Sequence, residues 1–339
     1  MRHAGHIRVG VTYNLKRRPG DAPQDAGPPD ADAEYDDFDT ILAVKGALEA
    51  GGCEVELIEA TQELLPRLAE HRPDIVFNIA EGLAGRGREA HVPAILSFLQ
   101  IPFTGSDETT MCVALDKSLT KKLVAAYNIR TPEYMVFRDA ARPESGALSY
   151  PVIIKPNAEG SGKGISDVSV VSDAAAFQKI LKEKIDLYGQ DMLAEEFIKG
   201  REFTVGILGN EDDMRIFPPM EVIFKDGEND VYSYEIKRNF KRYIEYECPP
   251  DICDSLRKEI VDTAGLIFRI FKCRDYARID FRVSQEGRLY FIEINPIPGL
   301  APGYSDYPML AGYCGVEYTR LIQSMLNCAL TRYGLPAIS

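Results

Sequence analysis

The sequence predicts an α/β (α+β) chain: an N-terminal parallel sheet followed by two units in which antiparallel strands dominate. Three observations carry that prediction. Apolar strand segments alternate with helical ones over the first 105 residues, a glycine-rich turn joins two strands near 152–171, and residues 278–295 read as a β-hairpin. The unit boundaries that follow are 1–105, 106–191 and 192–339. With 339 residues, 45% hydrophobic and 27% charged, the chain has material for a core in each.

Residues 7–13 (Ile-Arg-Val-Gly-Val-Thr-Tyr) form the first expected strand, and Pro, Gly and Asp from about 18 to 37 predict a mobile loop. A helix with an apolar stripe at Phe38, Ile41, Leu42 and Leu48 stops at Gly51-Gly52. A strand at 54–58, a helix through Leu64, Leu65 and Leu68, and a strand at 74–78 complete a βαβαβ unit. Ligands of such sheets gather beyond the carboxyl ends of the strands, so residues just after Tyr13 and Asn78 are expected to face a site. The second unit carries a helix near 117–127 and strands near 134–137, 152–155 and 167–171. The third is mostly strands from Met192, with helices at 256–271 and 316–330.

Composition narrows the function. A net charge of −13 and a pI near 4.9 exclude a nucleic-acid surface, which needs clustered Lys and Arg for phosphate contacts. Seven cysteines at irregular spacing form neither a paired framework nor a zinc pattern, so reduced thiols are expected. There is no apolar signal segment and no stretch of about 20 apolar residues, which points to a cytoplasmic protein without membrane contact.

The hairpin Arg278-Ile-Asp-Phe-Arg-Val-Ser-Gln-Glu-Gly-Arg-Leu-Tyr-Phe-Ile-Glu-Ile-Asn295 carries most of the chemistry. A two-residue turn at Glu286-Gly287 pairs Val283 with Tyr290, Phe281 with Ile292 and Ile279 with Ile294, an apolar face. The other face sets Asp280 against Glu293 and Arg278 against Asn295. Opposed carboxylates destabilise a sheet unless a cation joins them, and Mg²⁺ prefers such oxygen ligands beside phosphate. Neutralisation by Arg278 on an exposed polar face is the alternative that the hairpin leaves open. A general acid/base carboxylate pair is a further one, but no sugar-binding aromatic pattern surrounds it and Trp is absent.

The segment Lys155-Pro-Asn-Ala-Glu-Gly-Ser-Gly-Lys-Gly-Ile-Ser166 follows a strand, and its glycines let backbone amides approach an anion. It is not a Walker loop, because a strand follows it rather than a helix, so it is expected to join antiparallel strands as a flap. Lys155 beside it favours a nucleotide. Lys117 and Lys237, taken singly, read as surface lysines. Residues 193–202 read as a strand and turn able to offer backbone groups to adenine and Glu202 to ribose.

The order of flap, Glu195-to-Glu202 segment, Arg278-x-Asp280 and Glu293-x-Asn295-Pro-x-Pro-Gly299 resembles the ATP-grasp superfamily, specifically the D-alanine:D-alanine ligases. Pro102-Phe-Thr-Gly-Ser106, Leu115-Asp-Lys-Ser-Leu-Thr-Lys121, Glu202-Phe-Thr204 and Tyr234-Glu-Ile-Lys237 extend the likeness over nearly the whole chain. The resemblance implies an N-terminal Rossmann-like domain and two domains clamping ATP. Lys117, Lys155 and Lys237 would hold phosphates, Glu195, Glu196 and Ile198 would meet adenine, and Glu202 ribose. Asp280, Glu293 and Asn295 would bind two Mg²⁺ ions, with Mn²⁺ as a substitute. Arg278, Ser161 and Gly162 would stabilise the acyl phosphate and tetrahedral intermediate, and Ser305 would receive the second substrate's carboxylate. A homodimer is expected by the same analogy.

The likeness breaks at the first-substrate pocket. These ligases open with a Gly-rich segment containing a glutamate that orients the first amino acid, whereas this chain has Val11-Thr-Tyr-Asn-Leu-Lys16. Their His-Gly pair is Glu81-Gly82 here, followed by Arg86, Arg88 and Glu89, and the tyrosine after the phosphate-binding lysine is Arg238. Glu81 is expected to hold a substrate ammonium, and Arg86, Arg88 or Arg238 a carboxylate. The expected activity is an ATP-dependent carboxylate–amine ligation through an acyl phosphate, on amino acids or a small peptide other than two D-alanines. The alternatives are a true D-alanine:D-alanine ligase and a nucleotide-binding regulator without turnover.

Overall fold

In the computed structural model, residues 6–17, 28, 30–140, 146, 148–165, 169–225, 236 and 239–338 are described. The first sheet is parallel, with strands β1 (Arg8–Tyr13), β2 (Glu54–Glu59) and β3 (Ile75–Asn78) in the order β2-β1-β3. The helix Phe38–Ala50 buries Ile41, Val44, Ala47 and Leu48 against it. Phe38 and Leu42 of the expected stripe are exposed, because the smaller Val44 and Ala47 complete the 3.6-residue face instead. The C-terminal helix Tyr318–Arg332 packs Leu321, Ile322 and Met325 into the same core, so the end of the chain closes over its beginning.

The second sheet, antiparallel, contains β4 (Tyr134–Phe137), β5 (Val152–Pro156), β6 (Val170–Val171) and β7 (Met192–Glu196) in the order β4-β7-β5-β6. The helix Ala174–Tyr188 covers one face through Phe177 and Leu181. Pairing of Val152 with Val171 makes the glycine segment a connection between antiparallel strands, as expected; residues 166–168 lie outside the described set.

The third sheet holds β8 (Gly200–Leu208), β9 (Arg215–Ile216), β10 (Met220–Phe224), β11 (Ile244–Glu247), β12 (Tyr276–Ser284) and β13 (Leu289–Asn295). Its order is β11-β10-β8-β12-β13, with β9 on β8. The helix Asp254–Ile270 lays Ile260, Ala264 and Ile267 over Phe203, Ile279 and Phe281.

The hairpin β12–β13 differs from expectation in half of its register. Arg278–Asn295, Ile279–Ile294 and Asp280–Glu293 pair as expected, but Phe281 faces Phe291, Arg282 faces Tyr290 and Val283 faces Leu289. Two offsets cancel. The Ser284 amide donates to the Arg288 carbonyl at 2.9 Å, so the loop has three residues and Gly287, at φ 77°, supplies its left-handed position. A bulge between the Asp280 and Phe281 pairings then absorbs Ile292 and restores the frame.

The expectation of a mobile loop over 18–37 also needs correction in its second half; residues 18–27 and 29 lie outside the described set. Asp30 and Glu34 are buried, and the Asp36 backbone pairs with Asn14 and Lys16. Among the described residues no helix is long and apolar enough to cross a membrane.

Candidate active site

Two cavities meet beneath the glycine flap. The first lies between the second and third sheets, and the second between the third sheet and the loops at the carboxyl ends of the first. Lys117, Glu159, Arg278 and Glu293 line both, which makes them the shared rim. Flap residue Ser161 lines the second cavity and its neighbour Gly162 the first. Both have positive φ, 50° and 72°, so two consecutive left-handed residues turn the flap across the junction.

The first cavity combines an apolar slot with buried lysines. Ile153, Phe203, Val222 and Ile292 supply apolar wall, and the bulge matters here because it sets Ile292 and Glu293, adjacent in sequence, on the same cavity. At its floor, Glu195 lies between Lys155 at 2.5 Å and Lys121 at 2.6 Å, all three buried. Burial works to raise the Glu195 carboxyl, but the two ammonium groups overcome it and hold it down to about 2. Burial likewise lowers Lys121 to about 8, against the pull of Glu195. Glu196 accepts from the Ser149 amide at 2.8 Å, and Glu202 pairs with Arg282 at 3.4 Å. Ile198 also lines this cavity.

At the rim, Arg278 donates to both oxygens of Asp280, Nε to Oδ1 at 3.0 Å and Nη2 to Oδ2 at 2.9 Å. It also stands 4.0 Å from Glu293 and 3.9 Å from Asp306. Burial opposes charge on this guanidinium, yet Asp280 and Asp306 keep it firmly protonated. Asp280 further accepts from Thr204 Oγ1 at 2.7 Å and Asn295 Nδ2 at 3.2 Å, while Glu293 reaches Lys117 at 3.5 Å. The sheet register thus brings Arg278, Asp280, Glu293 and Asn295 together.

The second cavity is lined by carboxylates. Glu34, Glu81 and Glu89 each bring an oxygen within 4.8 Å of the others, and Asp36 joins them on the wall. Glu34 is held by Arg88 Nη2 at 2.5 and 2.6 Å and accepts from the Gly160 amide of the flap. A Cβ at Gly160 would lie 2.7 Å from the Glu34 oxygen, so only glycine permits that approach. Arg88 also meets Glu159 at 3.2 Å and donates to the Ala158 carbonyl at 2.7 Å. Burial pushes Asp36 and Glu89 up to about 7, and raises Glu81 well above the usual carboxylate range, with neighbouring carboxylates adding to the rise.

These contacts revise several expectations. Arg88 is taken up by Glu34, Glu159 and a carbonyl, and Arg86 donates through Nε to Asp116 at 2.6 Å; neither lines the second cavity. Ser305 lines neither cavity; its Oγ accepts from the Ala301 amide at 3.1 Å and so fixes the turn before the helix Asp306–Tyr313. Lys237 and Arg238 lie outside the described residues. After β3, Ile79 and Glu81 do face a cavity, but after β1 Asn14 is buried, bonding Ala60 and Gly82 at the strand ends. Sequence reasoning missed Lys121, Thr204, Arg282 and Asp306. Lys121 stood inside a quoted motif, and Thr204 sits directly opposite Asp280 across β8–β12, a signal available only once that pairing is known.

Comparison with known proteins places the chain in a family. Residues 123–327 match the family model described as D-ala D-ala ligase C-terminus. The D-alanine–D-alanine ligase of Aquifex aeolicus is 34% identical over 291 residues, 85% of this chain and 94% of that protein. An uncharacterised protein, y4sG, of Sinorhizobium fredii is 33% identical over 299 residues, 86% of this chain and 87% of its own. In fold, the crystal structure of D-alanine–D-alanine ligase from Bacillus anthracis complexed with ATP superposes with a TM-score of 0.73 at 20% identity, covering 97% of this chain and 99% of that one. The chain therefore belongs to the D-alanine–D-alanine ligase family of ATP-dependent, ATP-grasp ligases.

Proposed function

We propose that the protein joins a carboxylate to an amine through an acyl phosphate, on amino-acid or small-peptide substrates other than two D-alanines. The observation that carries this reading is the shared rim: Arg278, Lys117 and Glu293 line a lysine-floored cavity and an acid-lined cavity at once. A phosphoryl group leaving one cavity can meet a carboxylate entering from the other only there.

The roles follow from the chemistry. Phosphoryl transfer to a carboxylate needs positioning and charge neutralisation. Lys117 and Lys155 hold phosphate oxygens, Ile153 and Ile292 enclose the base, and Glu202 accepts from ribose. Asp280, Glu293 and Asn295 offer an all-oxygen set, the donor chemistry that suits Mg²⁺, and such an ion would neutralise phosphate charge there. Arg278 stabilises the oxyanion that forms as the amine attacks, assisted by flap groups at Ser161 and Gly162. Closure of the flap excludes water from the reactive acyl phosphate. The substrates depart from two D-alanines because the second cavity is walled by carboxylates and Arg88 is committed to Glu34.

The test is ADP and phosphate release from ATP in the presence of paired D- and L-amino acids, with the product identified by mass. Release stimulated by amino acids supports a ligase. Product from two D-alanines alone would return the protein to the activity for which its curated relatives are named.

A further inference from the structure

We infer that one of the two substrates is a diamino acid, bound in the acid-lined cavity with its ammonium groups on Asp36, Glu81 and Glu89. This rests on the ligase reading and deepens it by naming a substrate class.

Among the described residues, six carboxylates line that cavity, Glu34, Asp36, Glu81, Glu89, Glu159 and Glu293, against two cations, Lys117 and Arg278. The ion pairs divide them. Glu34 and Glu159 are answered by Arg88 from behind the wall, and Glu293 by Lys117. Arg278 is taken up by Asp280. The side chains of Asp36, Glu81 and Glu89 form no hydrogen bond or ion pair among the described residues. Glu89 is the decisive one. It is only 8% exposed, lines the cavity, and accepts no hydrogen bond among the described residues, although Arg88 and Lys117 attract it from a distance. A carboxylate so enclosed without a donor is costly to keep ionised, and a cationic ligand removes the cost.

The geometry favours alkylammonium. An ammonium carries three N–H donors, and Glu34, Glu81 and Glu89 place oxygens within 4.8 Å of one another, close enough to share a single such group. One monovalent cation would still leave two of the three unanswered carboxylates without a counter-charge. A ligand with two ammonium groups fits the charge deficit better than one with a single amine. The carboxylate of the same molecule has cationic groups to meet in the same lining, Arg278 and Lys117 on the rim, in exchange with the Glu293 that Lys117 now faces.

The experiment compares ornithine with norvaline, which has the same carbon chain without the terminal amine. Both enantiomers of each are paired with D- or L-alanine, and ATP turnover is read as ADP release by the full-length protein. We expect kcat/KM for ornithine, or for its homologue lysine, at least about tenfold above that for norvaline. Glu89→Gln and Glu81→Gln should each raise the KM for the diamino acid about tenfold, while calorimetric ATP binding shows that the variants are folded. If norvaline or alanine serves as well as ornithine, the charge inference falls and the ligase reading stands. If ATP binds but no amino acid of either kind drives ADP release, the ligase reading itself falls. If Mn²⁺ alone titrates a site that Glu89→Gln abolishes, with the diamino-acid KM unmoved, the cavity is a metal site and the inference is overturned.

Discussion

The two cavities handle buried charge in opposite ways. In the lysine-floored cavity, Glu195 sits between Lys121 and Lys155, and Glu202 against Arg282, so the carboxylates of that wall are answered inside the protein. Across the rim, Asp36, Glu81 and Glu89 line a hollow and, among the described residues, their side chains accept no hydrogen bond and form no ion pair. A wall neutralised internally is rigid before any ligand arrives and suits a cosubstrate common to a whole family. A wall of buried carboxylates without hydrogen-bond donors favours a cationic ligand, as proposed above, and it lies where the sequence departs from the family pattern. The difference teaches that two ways of handling buried carboxylates stand side by side in this molecule, joined at the rim of Lys117, Glu159, Arg278 and Glu293.

The comparison can be broken or sharpened by experiment. Asp280→Ala should lower turnover at least about 10³-fold while leaving the circular dichroism spectrum unchanged, since Arg278 keeps Glu293 and Asp306 as neighbours; undiminished turnover removes Asp280 from the rim chemistry. Glu195→Gln strands two buried ammonium groups and should destabilise the protein by roughly 3–5 kcal/mol in urea unfolding. The pH profile of stability carries the same contrast with opposite signs. Glu195 is depressed to about 2, so its contribution, roughly 3 kcal/mol, is complete above its ordinary value of 4.5 and is lost as pH falls through 2. Asp36 and Glu89 are raised to about 7, so stability is greatest below their ordinary values and declines as pH rises through 7. Glu89→Gln should therefore flatten the decline between pH 5 and 8 by roughly 2 kcal/mol or less; an unchanged slope would mean that Glu89 is solvated. The smallest effect is expected at the hairpin loop: Gly287→Ala, at positive φ with open space around it, should cost about 1 kcal/mol and leave turnover intact.

Much of this arrangement was legible in the sequence because it depends on period and order. Strand alternation gave the parallel sheet, and the Asp280–Glu293 and Arg278–Asn295 pairings came out correctly although the turn was misjudged by one residue. That success was partly fortuitous, since the bulge at Ile292 repaid the error, and bulges leave no periodic mark. Glu34 and Asp36 were hidden in a Pro/Gly/Asp-rich stretch whose local pattern says only loop. The burial of Glu34 comes from contacts with Arg88 and Gly160, more than fifty residues away, and the Asp36 backbone is tied to Asn14 and Lys16; no local rule reaches either. Arg88 itself was read as a ligand-binding group because charge alone does not reveal whether a partner is already seated.

The flap is gripped from beyond its own sheet. Glu34 takes the Gly160 amide and Asp30 the Gly164 amide at 2.7 Å, while Tyr188 donates to Asp30 at 2.9 Å. Both acids come from the approach to the first long helix, so the roof over the phosphate end is latched by a strap from the opposite end of the chain. Raising that roof requires two carboxylates to let go together, and whatever competes for Glu34 in the neighbouring hollow also has a hand on the latch.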